Sequence, residues 1–269
     1  MADSDRSDLT SAVREYWDAH TLGKQYVKDP GIPPGTPEYF AHVRAWMNPY
    51  KFPEIMPRIE RAAARLRGRH LLEVGCGMGF DSVELMKRGV RVTATDLTPN
   101  AVELARRHFE IAGVQPVEVG TENVLELSYP DATFDGVWAC GVLHHTGDVP
   151  MAVREIGRVL RPGGVAFLSH FYRRPSWMHF LSRAGRENIE FSDADPPVTE
   201  FLRESEILAS LEGFIVEEAI RDHYRALPIA RTGVKALLYK TVFRPCWNLL
   251  PAALARTFAY KFSVIARKP

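Results

Sequence analysis

Cysteine is scarce in this chain. Cys76, Cys140 and Cys246 are the three in 269 residues; they cannot all pair, and they lie too far apart for a disulfide framework or a zinc site. Reduced thiols in a cytoplasmic protein without a bound metal are therefore the expectation. Long apolar runs are missing as well. No stretch of about 18 apolar residues is available to span a bilayer, and the opening "MADSDRSDLTSAVREYW" is polar and acidic, with no apolar signal core. Internal repeats and low-complexity tracts are absent too. What remains is an ordinary globular composition, 46% hydrophobic and 25% charged, long enough for one domain carrying insertions.

Net charge is also small, +1, but it is unevenly spread. From Arg221 to Pro269 ten lysines and arginines face one acid, Asp222, so this stretch carries +9 and the remainder −8. Such a cluster is either a solvated cationic face or a surface for an anionic partner.

Strand and helix patterns alternate through the middle of the chain. "LLEV" (71–74), "VRVTATD" (90–96), "PVEV" (116–119), "FDGVWAC" (134–140) and "GVAFLS" (164–169) have strand character, with amphipathic helices over 99–112 and 149–160 between them. Two more strands, 214–220 and 262–268, follow a helix near 199–211. The expected fold is α/β: a doubly wound, Rossmann-like, mostly parallel seven-stranded sheet with helices on both faces. Around it the chain divides into an N-terminal helical cap (1–68), a core (69–220) with a cap insertion at about 170–198, a basic amphipathic insertion (221–261) and a last core strand (262–269).

The most informative local feature is "LLEVGCGMGFDSVEL" (71–85), a strand that stops at Gly75, Gly77 and Gly79 and resumes as a helix. Such a turn lets backbone approach a ligand closely, and the N–H groups at the helix start favour an anionic or strongly polar group. A dinucleotide fingerprint needs G-x-G-x-x-G, but here the position of its third glycine is Phe80, which argues against a nicotinamide enzyme. Asp96 ends the second strand 21 residues after Gly75, where a carboxylate can accept from ribose hydroxyls; the plainer alternative is a helix cap before "LTPN".

"LLEVGCGMGFDSVEL", "VTATDLTPNAVELARRHF", "YPDATFDGVWACGVLHHT" and "AVREIGRVLRPGG" occur in this order from about Arg69 to Leu168. Together they resemble the class I S-adenosylmethionine-dependent methyltransferases, and "GVLHH" resembles their small-molecule branch. The resemblance implies S-adenosyl-L-methionine as cofactor and S-adenosyl-L-homocysteine as product. It places Glu73 behind the glycine turn and Gly75, Cys76 and Gly77 at the amino-acid end of the cofactor. Asp96 would hold the ribose diol, with Leu97 against one adenine face, and the Cys140 carbonyl would meet the methionyl ammonium. Where the family often has an Asp-Ala pair beside adenine, this chain has Asn123-Val124, with Glu122 as a competing acceptor. Tyr16, Trp17 and Tyr50 are candidates to close over the cofactor, or simply to pack the N-terminal helices.

Methyl transfer needs alignment, and a base only where the nucleophile carries a proton. His145 and His170 are the candidate catalytic residues, both following strands at the end where the methyl would lie. His144, Tyr172, Trp177 and Arg231 are candidates for the acceptor's walls. The expected acceptor is a small, amphipathic or lipid-like molecule with an anionic group, because 221–261 interleaves leucines and aromatics with Arg231, Lys235, Lys240 and Arg244. The same pattern suits peripheral contact with an anionic membrane. Nucleic acid is disfavoured, since the fourth strand lacks an Asn/Asp-Pro-Pro-aromatic motif. A cofactor-binding partner protein without transfer activity is the alternative reading. The assembly is expected to be a monomer or homodimer.

Overall fold

The computed structural model describes residues 3–21, 27, 29–177, 179, 196–222 and 237–269, and only the backbone of Asp3, Ser4, Tyr50 and Ala252. Its sheet is built from β1 (His70–Val74), β2 (Arg91–Asp96), β3 (Glu118–Thr121), β4 (Phe134–Cys140), β5 (Leu160–Arg173), β7 (Ile215–Asp222) and β8 (Lys261–Arg267), with a two-residue β6 (Phe201–Leu202). The order is β3-β2-β1-β4-β5-β8-β7, and β6 attaches to β5. Pairing is parallel from β3 to β5, while β8 runs antiparallel to both β5 and β7. The expected doubly wound sheet is present, with β6 as an addition.

The helices are α1 (Asp3–Ala19), α2 (Pro37–Tyr50), α3 (Phe52–Leu66), α4 (Phe80–Lys87), α5 (Pro99–Ala112), α6 (Val149–Val159) and α7 (Glu204–Ser210). Thr36 caps α2 by accepting from the Tyr39 N–H at 3.2 Å, with Pro37 in the first turn. In α3, Phe52, Ile55, Ile59, Ala62, Ala63 and Leu66 recur at helical spacing and are buried. One core cluster joins α2, α3, α4 and α5 to one face of the sheet, and a second joins α6 and Ile207 of α7 to the other.

The structure departs from the sequence pattern where the sheet is irregular. β5 runs on to Arg173, because a register shift against β8 between Leu168 and Phe171 bends the strand without ending it. His170 and Tyr172 thus lie on a strand, and do not open the 170–198 cap; residues 178 and 180–195 of that cap lie outside the described residues. Likewise Arg221 and Asp222 finish β7, so the basic insertion begins after them, and 223–236 lie outside the described residues. Beyond that gap a π-helical turn (Tyr239–Phe243) continues into α8 (Arg244–Leu249), and α9 (Ala252–Thr257) follows. Pro245 fits the first turn of α8, and the break between α8 and α9 falls at Leu250 and Pro251. Tyr239, Trp247, Ala255 and Tyr260 pack with Tyr172 and Trp177 into a third cluster.

Candidate active site

Chain order reverses beside β1, which pairs with β2 on one side and β4 on the other. In an open α/β sheet this is where ligands bind, outside the carboxyl ends of the strands. A cleft with an empty volume of about 1180 Å³, counted to its open mouth, lies there. Glu73, Gly75, Cys76, Gly77, Asp96, Leu97, Asn123, Val124, Cys140 and His145 all line it, so most of the expected cofactor residues converge on one wall.

The three glycines are required for different reasons. All have positive φ, +66° at Gly75, +54° at Gly77 and +73° at Gly79, which side-chain-bearing residues avoid. A Cβ on Gly75 would come within 2.2 Å of Val142, and one on Gly79 within 2.4 Å of Phe109. A Cβ on Gly77 would meet nothing within 4 Å, so that position faces the cleft's free space. Asp96 ties the turn to β2: its Oδ2 accepts from the Gly77 N–H at 2.9 Å, and its Oδ1 from the Thr98 N–H and hydroxyl at 3.0 Å each. Both sequence readings of Asp96 therefore have geometric support, since it braces the start of α5 and also borders the cleft. Glu73 is buried behind the turn and accepts from the Ser82 hydroxyl. Burial and the neighbouring Asp81 push its carboxyl up to about 8.

Both candidates at the adenine position line the cleft, but Glu122 turns its carboxylate onto the Ser128 N–H (3.0 Å) and hydroxyl. Asn123 lines the cleft with its Oδ1 accepting from the Leu125 N–H at 3.1 Å, which leaves one lone pair and the amide N–H groups for a ligand.

His145 lines the cleft, and its Nδ1 lies 2.9 Å from the Val198 carbonyl. A carbonyl only accepts, so Nδ1 carries the proton and Nε2 holds the lone pair. Burial lowers its pKa to about 4. His170 does not line the cleft: it is buried one layer behind, with φ +69° and its Nδ1 3.4 Å from the Cys140 Sγ. The Cys140 thiol is pushed by burial up to about 12, so it is a packing group at neutral pH. His144 is buried against Tyr172, ring centroids 4.2 Å apart, and neither lines the cleft. Trp177 packs into the third cluster, 5.4 Å from Trp247 and 5.0 Å from Tyr260, also away from the cleft. Arg231 lies outside the described residues, as does the side chain of Tyr50. Tyr16 stacks on His20 at 4.4 Å, whereas its neighbour Trp17 lines the cleft and meets the His145 ring edge-on at 5.0 Å.

The sequence pattern missed Thr10, Val13, Met47, Lys51 and Asp81, which also line the cleft. Lys51 donates to Asp81 at 2.8 Å, and Asp81 in turn accepts from the Trp138 Nε1–H at 3.2 Å. The pattern held one signal for this: an acid and a lysine each placed among residues that are otherwise apolar. Among the described residues no group of histidines, cysteines and acids could hold a metal ion.

Comparison with known proteins agrees with this geometry. Residues 72–168 match the family described as a methyltransferase domain. The ubiquinone biosynthesis O-methyltransferase of Methylocella silvestris is 38% identical over 137 residues, which is 51% of this chain and 53% of that protein. Its counterpart in Xanthomonas axonopodis pv. citri is 37% identical over 131 residues. The chain spans about half the length of the curated relatives it matches. Among solved structures, a SAM-dependent methyltransferase of Methanosarcina mazei superposes with a TM-score of 0.54 at 24% identity, covering 79% of this chain and 97% of that one. The cyclase SpnF superposes with a TM-score of 0.59 at 19% identity, covering 96% and 95%; at these identities the likeness is one of fold. S-adenosylmethionine is the cofactor that suits the domain. The cleft fits it: an open cradle over Gly77, a carboxylate at Asp96, an amide at Asn123 and apolar walls at Leu97 and Val124.

Proposed function

We propose that the protein transfers a methyl group from S-adenosylmethionine to a small acceptor. The observation that carries this reading is the glycine turn, where free space lies over Gly77 directly beside Asp96. Bound there, the cofactor supplies an electrophilic methyl on a sulfonium. The chain's own residues do the rest. Gly77 meets the cofactor's amino-acid end and Asp96 its ribose, Trp17 and Val13 of α1 shield the cleft from water, and His145, its Nδ1–H held by the Val198 carbonyl, borders the space where the acceptor would lie. A base with a pKa near 4 removes a proton weakly at neutral pH, so His145 acts mainly by orienting the acceptor.

The acceptor is proposed to be amphipathic or lipid-like. Of eleven large apolar side chains exposed among the described residues, six (Leu237, Leu238, Val242, Leu249, Leu254 and Phe258) fall within 237–258. No acid interrupts the sequence from 223 to 269, and Lys240 and Arg256 are exposed on the same stretch. An apolar and cationic surface suits contact with anionic lipid, where a lipid-like acceptor would be found. The relatives named for ubiquinone biosynthesis O-methylation give the same direction. The test is calorimetry with S-adenosylhomocysteine, then transfer of labelled methyl from S-adenosylmethionine to phenols with and without an alkyl tail. Binding without transfer to any phenol would favour a cofactor-binding partner protein; no binding would sink both readings.

A further inference from the structure

The wall of the cleft is acidic. Among the described residues that line it, four carry carboxyl groups, Glu73, Asp81, Asp96 and Glu122, and Lys51 is the one cation. Three of the four acids are well supplied with donors. Asp81 accepts from the Lys51 ammonium at 2.8 Å and from the Trp138 Nε1–H at 3.2 Å. Asp96 accepts from the Gly77 N–H and from the N–H and hydroxyl of Thr98, and Glu122 from the N–H and hydroxyl of Ser128. Glu73 is different. It is 3% exposed, and its Oε2 accepts from the Ser82 hydroxyl. Among the described residues its Oε1 has no donor, and its carboxyl belongs to no salt bridge.

Glu73 and Asp81 compete for one ammonium, and burial favours ionising only one of them. Asp81 holds Lys51, so the proton stays on Glu73, whose carboxyl burial and the Asp81 charge push up to about 8. The other groups facing it are Lys51, Asp96 and Cys76, and burial keeps the Cys76 thiol protonated. At neutral pH Glu73 is therefore a neutral acid in the cleft wall, two residues before the turn that opens over Gly77. S-adenosylmethionine ends its amino-acid arm in an ammonium and a carboxylate. Lys51 suits the carboxylate, and Glu73, once ionised, suits the ammonium.

We infer that the ammonium of the cofactor's amino-acid arm takes the place of the Glu73 proton, so that uptake of the cofactor releases a proton to solvent. The carboxyl O–H of Glu73 breaks, its proton passes to the buffer, and the carboxylate accepts from the ammonium in its stead. The inference rests on the methyltransferase reading and deepens it. Glu73 becomes a specificity-determining residue, because a nucleoside without the charged arm offers no cation in exchange for the proton. Since the free protein holds the proton and the complex does not, affinity rises with pH up to about 8, by up to about tenfold per unit.

Calorimetry at about pH 7, in two buffers of different ionisation enthalpy, counts the protons. The probes are S-adenosylhomocysteine, whose amino group is largely charged at that pH, and 5′-methylthioadenosine, which keeps the nucleoside and lacks the arm. A carboxyl that titrates at about 8 holds about 0.9 of a proton at pH 7. Wild type should therefore release at least about half a proton per S-adenosylhomocysteine bound, and none with 5′-methylthioadenosine. Glu73→Gln, which can still accept from Ser82, should bind S-adenosylhomocysteine without release, and its affinity should no longer rise with pH. Release of less than half a proton in wild type, equal release with the two probes, or release that survives in Glu73→Gln would each overturn the exchange. The comparison of probes in wild type stands even if the variant does not fold. Failure of the wild type to bind S-adenosylhomocysteine would instead overturn the methyltransferase reading.

Discussion

The buried histidines should make this protein acid-labile, and His108 allows the effect to be isolated. Its ring lies between Phe40 at 4.5 Å and Phe80 at 4.4 Å, and its Nδ1 donates to the Met78 carbonyl at 2.8 Å, so it braces the glycine turn from α5. Burial lowers its pKa from 6.5 to about 4. The folded state therefore keeps it neutral through a window in which the unfolded chain takes up a proton. The sign follows: this stability is fully present above about 6.5, falls as pH drops from 6.5 towards 4, and changes little below that. At pH 5 the unfolded state has gained about 2 kcal/mol from this one group relative to pH 7.5. His145, with the same value, adds a similar amount. Urea unfolding of wild type and His108→Phe at the two pH values measures it, because contributions shared by both proteins cancel. The loss between pH 7.5 and 5 should be smaller by about 2 kcal/mol in the variant. If the two proteins lose the same stability to within about 0.5 kcal/mol, His108 titrates normally in the fold and the reasoning fails.

Substitutions in the turn should separate ligand space from packing. Gly77→Val meets no packing clash but is strained at φ +54°, and should lose S-adenosylhomocysteine binding in calorimetry, whereas Gly75→Ala, which drives a Cβ against Val142, should lower the midpoint of urea unfolding further. Asp96→Ala should weaken cofactor binding by about 1.5–3 kcal/mol and also loosen the turn, through the lost bonds to Gly77 and Thr98. Asn123→Asp should bind the cofactor as well as or better than wild type, and a tenfold loss would place adenine elsewhere. Trp17→Ala should raise the cofactor's dissociation constant with little change in stability, since that ring lines the cleft while the neighbouring Tyr16 stacks on His20.

The regular part of the sheet could be read from the chain because local pattern and tertiary position coincide there. β4 was expected over 134–140 and α5 over 99–112, and both are found with those bounds, since Thr98, Pro99 and Gly113 mark the helix ends chemically. The continuation of β5 through His170 to Arg173 was not legible. A bulge breaks the two-residue alternation, and what continues the strand is its pairing with β8, roughly a hundred residues away in the chain. Tyr16 and Trp17 show the same limit at one position: adjacent rings on a helix are equal in sequence, and only the docking of α1 decides which one meets His145.

The division of labour around the cleft follows from that difference. The cofactor wall comes from one local unit, strand, turn and helix, together with the ends of β2 and β4, so its residues stand at recognisable spacings. The buried polar cluster behind Cys140 draws instead on α3, β5, β7 and β8, and the Arg58 to Asp222 pair alone spans 164 residues. Nothing local requires an arginine on the buried face of α3; an apolar residue there would satisfy the helix equally well. Burying that charge costs free energy that the Asp222 pair only partly offsets, and among the described residues two of its nitrogens have no acceptor.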